Sequence, residues 1–127
     1  MGPNSVFINE HGVVEIHVVG DQTVASIQAM GDQALQLAEK QRKAGKPALI
    51  LDNILQIGIV PPEGRKLVVD LIKSTGYERL AMLGKGHMLR LGANLMLQAT
   101  GKGSRVKYFE DLASCEAWLL AVPTGQR

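Results

Sequence analysis

The sequence predicts an α/β fold: a mainly parallel mixed sheet that opens with an N-terminal β-hairpin and carries helices packed on it. Three observations lead there. Segments with alternating or continuous apolar runs take turns with segments whose apolar residues recur every three or four positions. Two runs, Ala48-Leu49-Ile50-Leu51 and Leu80-Ala81-Met82-Leu83, are apolar throughout, as strands covered on both faces are. Glycine, proline or aspartate marks nearly every change of period.

Taken in order, Val6-Phe7-Ile8 and the stretch 13–19 read as two strands, with Glu10-His11-Gly12 as the turn between them. In the second strand Val14, Ile16 and Val18 share one face, and Val13, Glu15 and His17 share the other. Gly20-Asp21-Gln22-Thr23 supplies a turn and two candidate N-caps, Asp21 and Thr23. A helix follows to about residue 44, its apolar stripe running through Ile27, Met30, Ala34 and Ala38, with Gly45 as its stop. The first apolar run is a central strand ending at Asp52-Asn53, and 54–61 reads as an apolar loop. Pro62 or Glu63 opens a second helix to about residue 75. The second apolar run ends at Gly84-Lys85-Gly86, and a third helix spans about 87–100. Val106-Lys107-Tyr108-Phe109 is the last strand, and Asp111 caps a last helix through Leu120. The order β-β-α-β-α-β-α-β-α calls for parallel neighbours joined by right-handed crossovers.

The 127 residues fit one domain over 1–127, with its core over about 6–120. One cysteine rules out a disulfide framework, and one cysteine with three histidines at no zinc spacing leaves metal binding without support. A net charge of +2 and five aromatic residues argue against nucleic acid as a partner. No apolar run approaches the roughly 18 residues of a transmembrane span. The first residues are too polar for a secretory signal, so the expected compartment is the cytoplasm. The charge is unevenly divided. Residues 1–64 hold 4 basic and 7 acidic side chains, and residues 65–127 hold 10 and 5. Such asymmetry can mark an oriented interaction surface.

No catalytic constellation emerges, so an enzyme is not expected and no cofactor is implied. Cys115 falls on the buried spacing of the last helix. His11, His17 and His87 have no partner at triad spacing. Gly84-Lys85-Gly86 joins a strand to a helix with Arg90 nearby, a candidate anion site that lacks the third glycine of a dinucleotide fingerprint. Asp52, at the expected end of a strand, lacks the neighbouring carboxylate pair that phosphoacceptor chemistry uses to hold Mg²⁺.

The third helix stands out. His87, Arg90, Asn94, Gln98 and Lys102 form one narrow polar stripe, and an apolar arc including Met88 and Leu91 is wider than a sheet requires. Ile54, Leu55, Ile57 and Ile59 add an apolar loop close by. In parallel sheets ligands gather at the carboxyl ends of strands, which points to this region together with Glu63 and Arg65.

From Val13 to Leu120 the chain resembles the STAS domain family, in its SpoIIAA-like branch, often grouped with Sec14-like domains. The resemblance is carried by Gly20-Asp21-Gln22-Thr23, Ala48-Leu49-Ile50-Leu51-Asp52, Leu80-Ala81-Met82-Leu83-Gly84, and Phe109-Glu110-Asp111 with Ala117-Trp118-Leu119. It implies a fold built on these strands and, in antagonist members, a serine phosphorylated at an Asp-Ser-Ser-Gly-like helix start. Here Glu63 stands in that place before Gly64, and no serine or threonine lies between Ser26 and Ser74. The expectation is a non-enzymatic STAS-like interaction or regulatory module that lacks the usual phosphorylatable serine. Its partner would be another protein or a second copy of the chain. The alternative is a carrier or sensor of a small apolar or amphipathic ligand between loop 54–61 and helix 87–100.

Overall fold

A computed structural model describes residues 3–122. Strands β1 (Ser5–Ile8) and β2 (Val14–Gly20) form an antiparallel hairpin with Val6 opposite Ile16 and Ile8 opposite Val14. Its turn is held by Asn9, whose Oδ1 accepts from the N–H groups of His11 and Val13. Gly12 there takes φ 78°, a left-handed value open to glycine.

Helix α1 (Val24–Lys43) starts at a capping box. Thr23 Oγ1 accepts from the Ser26 N–H, and Ser26 Oγ accepts from the Thr23 N–H. Asp21, the other candidate cap, acts at a distance instead, its Oδ1 accepting from the Ile59 N–H at 2.8 Å. That bond ties the start of α1 to the chain beyond the next strand.

Strand β3 (Leu49–Ile57) is followed by α2 (Pro62–Ser74), β4 (Arg79–Leu83), α3 (His87–Ala99), a 3-10 turn (Gly103–Arg105), β5 (Val106–Phe109) and α4 (Leu112–Leu120). Asp111 caps α4 by accepting from the Ser114 N–H. The element order matches the sequence reading, with one correction. Residues 54–57, expected in a loop, continue β3, so Asp52 lies inside the strand instead of at its end. The cause is the length of β2, which offers hydrogen-bonding partners past the end of β4. After a register shift between His17 and Val19, Val19 pairs with Gln56 and Gly20 with Ile57. The loop proper is 58–61.

The sheet order is β1-β2-β3-β4-β5, with β2 to β5 mutually parallel. Crossovers of one hand between successive neighbours all fall on one face. The packing has this form. Met30, Ala34 and Ala38 of α1, Ile72 of α2, and Ala93 and Leu97 of α3 share one core with Val14, Ile50, Ile54, Leu80 and Met82. On the opposite face α4 packs Cys115 and Leu119 over Val13, Leu49, Leu51, Ala81 and Leu83. The strand order never reverses, so the sheet lacks the crevice that reversal opens at strand ends. The cavity lies on the three-helix face and is bordered at one end by residues beyond the carboxyl ends of β2, β3 and β4, among them Gln22, Ile59 and Met88.

On that face α1 and α2 meet at close range, whereas the exposed Gly92 of α3 faces open space. A Cβ on Gly31 of α1 would stand 2.7 Å from Leu71 Cδ1 of α2, and one on Gly64 of α2 would stand 2.8 Å from Ile27 Cδ1 of α1. A Cβ on Gly92 of α3 would meet nothing within 4 Å. The space left beside α3 is the cavity described next.

A candidate ligand pocket with a carboxyl floor

A cavity of about 460 Å³ lies between the sheet and α1, α2 and α3. This is within the range of about 300–1,000 Å³ common to small-molecule sites. Its floor is built from β2, β3 and β4 through Ile16, Ile50, Asp52, Ile54, Leu80 and Met82. The walls come from Met30 on α1, Val68 and Leu71 on α2, and Leu89 and Met96 on α3. Methionines line three sides, and their flexible thioethers adapt to irregular apolar shapes.

Asp52 is the exception in this floor. Side chains at i and i+2 of a strand share a face, so Asp52 points the same way as the buried Ile50 and Ile54. In register beside it are Ile16 of β2 and Met82 of β4. Four apolar side chains therefore frame one carboxyl. Its Oδ1 is buried and has no hydrogen-bond partner. Burial disfavours the charged form and pushes the Asp52 carboxyl up to about 7. Asp111 shows the opposite case, its carboxyl held below the usual range by the hydroxyl and N–H of Ser114.

Among the described residues no cation is paired with Asp52. Among the described residues the ion pairs lie elsewhere: Arg90 with Glu110, His17 with Glu15, and His11 with Glu10 and Glu116. Arg65 of α2 is the other ionisable residue of the lining, and its side chain is exposed. Gln22 also borders the cavity, but its Nε2 donates to the carbonyls of Val19 and Gly20 and its Oε1 accepts from Asn4 and Ser26.

Of the residues singled out from sequence, Asp52, Ile54, Ile57, Ile59, Arg65 and Met88 border the cavity. Leu55, Glu63 and Leu91 lie outside it and are exposed. The contributions of Ile16, Met30, Val68 and Leu71 were not anticipated. A signal for them exists in the sequence, since a carboxyl in the i, i+2 row of an apolar strand marks the face where polarity needs space.

In the Gly84-Lys85-Gly86 strand-to-helix junction, Gly84 is closely packed. The Gly84 N–H donates to the Phe109 carbonyl, and a Cβ on Gly84 would stand 2.9 Å from Leu89 Cδ2. Arg90 is 3.3 Å from the Glu110 carboxylate and 3.2 Å from His87 Nδ1, so an anion there would compete with Glu110. Lys85 and Gly86 are exposed.

The apolar surplus of α3 faces outward. Met88 is 78% exposed, Leu95 66% and Leu91 49%, and Ile59 on the neighbouring loop is 73% exposed. Cys115 is fully buried, and burial pushes its thiol up to about 12. Among the described residues no group of three or more His, Cys, Asp or Glu side chains is placed to hold a metal ion. No helix among them is long and apolar enough to cross a membrane.

No family model matches the chain, and no curated protein sequence matches it. Its architecture does have a counterpart among solved structures. An uncharacterized protein of the DUF3478 family from Shewanella loihica PV-4, whose crystal structure has a SpoIIAA-like fold, superposes with a TM-score of 0.60. The match covers 91% of each chain at 18% sequence identity. The chain therefore has the SpoIIAA-like fold implied by the resemblance of its strands and turns. At this identity the likeness is one of fold.

Proposed function

We propose that the protein is a non-enzymatic carrier or sensor that holds a small apolar or amphipathic molecule between the sheet and α3. The observation that carries this reading is the 460 Å³ cavity with its apolar lining. Filling it would remove apolar surface from water on both ligand and protein, at about 25 cal/mol per Å².

The test is native mass spectrometry of the purified full chain together with titration of a fluorescent apolar probe. A co-purifying small molecule, or saturable probe binding abolished by Gly92→Trp, is expected. An empty protein that binds no probe would overturn the reading.

The outward apolar residues of α3 favour a second role, contact with a protein partner or a second copy of the chain. Leu91→Asp changes an exposed residue outside the cavity lining. If this role holds, the substitution weakens self-association or partner binding measured by light scattering and leaves probe binding intact. Unchanged association in both measurements would remove the second role.

A further inference from the structure

We propose that the preferred occupant of the cavity is an apolar amine, whose ammonium group pairs with the Asp52 carboxylate on the cavity floor while its hydrocarbon body fills the space beneath α3. This rests on the reading of the cavity as a binding site and names the chemistry that the site selects. Folding has already removed water from the Asp52 Oδ1 without giving it a donor. A ligand cation therefore supplies what the floor lacks, a charge-assisted hydrogen bond in surroundings that screen it little. The floor offers it no competing polar group, because Ile50, Ile54, Ile16 and Met82 enclose the carboxyl along and across the strands.

The same feature selects against other amphiphiles. A fatty acid would bring a second carboxylate to Asp52, and two like charges in an apolar site cannot both stay ionised. An alcohol would satisfy one oxygen and leave the charge unbalanced. Arg65, the only other ionisable group of the lining among the described residues, lies exposed on α2, where it does not neutralise the floor.

The experiment titrates the full chain by calorimetry with decylamine, decanol and decanoic acid, each below its micelle concentration. At pH 8 decylamine is expected to bind at least tenfold more tightly than decanol, and decanoic acid most weakly. Asp52→Asn should erase the advantage of the amine and leave decanol unchanged. On acidification the amine must displace a proton from Asp52, so its affinity in the wild-type protein should fall about tenfold per pH unit below about 7. Should Asp52→Asn fail to fold, this wild-type pH profile decides the matter. Equal binding of amine and alcohol, or amine binding indifferent to pH between 5 and 8, would overturn the amine proposal and leave the carrier reading standing. Absence of binding by all three probes would remove both.

Discussion

Replacing Asp52 by asparagine should stabilise the empty protein, and by more at high pH than at low. Asparagine has nearly the same shape and no charge to desolvate. The carboxyl of Asp52 is held at about 7 in the folded protein against an ordinary value of 3.8. Below 3.8 the group is protonated in both folded and unfolded chains and contributes no difference. Between 3.8 and 7 the unfolded chain ionises first, so stability falls as pH rises, by about 1.4 kcal/mol per pH unit. Above 7 both states are ionised and the penalty levels off at roughly 4 kcal/mol. The penalty is only partly developed at pH 5 and fully developed at pH 8, so the gap between variant and wild type should widen by roughly 2 to 3 kcal/mol. Urea unfolding of both proteins at the two pH values, followed by the fluorescence of Trp118 where it packs on Phe109, measures this directly. Taking the difference between variants cancels every other titrating group. Parallel pH dependences in the two proteins would refute the claim that Asp52 is desolvated.

Three other expectations follow from named contacts. Gly92→Leu on α3 meets open space and removes a helix-interior glycine, so it should raise stability by roughly 0.5–1 kcal/mol while reducing probe binding; a calorimetric melt and a probe titration on one sample read both. Gly58→Ala would place its Cβ 2.8 Å from the Asp21 backbone nitrogen and the Gly20 carbonyl carbon, and should cost about 1–3 kcal/mol by urea denaturation. The buried Cys115 should resist an aromatic disulfide reagent until the protein unfolds, and stoichiometric labelling of the folded chain within seconds would contradict its burial.

The order of strands and helices was legible because each element carries its own local signal. Thr23, Gly45 and Asp111 end or start helices by chemistry that needs no distant partner. The length of β3 was not legible, since residues 54–57 become strand only through pairing with the far end of β2. The cavity was legible in part. The apolar surplus around Ile54 to Ile59 and Met88 lies along the cavity. Its position on the sheet face depends on strand order, a long-range property that local periodicity does not encode. Asp52 drew attention as a residue at a strand end, whereas its significance comes from the side chains that surround it in the sheet.

The sequential order β1-β2-β3-β4-β5 has a further consequence for how the protein is made. Every strand adds to the outer edge of the one synthesised just before it, and none has to insert between two strands already paired. The sheet can therefore grow in step with the ribosome, from the hairpin outward, through contacts between neighbouring segments of the chain. The three strands of the cavity floor are all present once residue 83 has emerged, but α3 follows only with residues 87–99. During that interval the cavity floor, Asp52 included, lacks one of the three helices that border it in the finished fold.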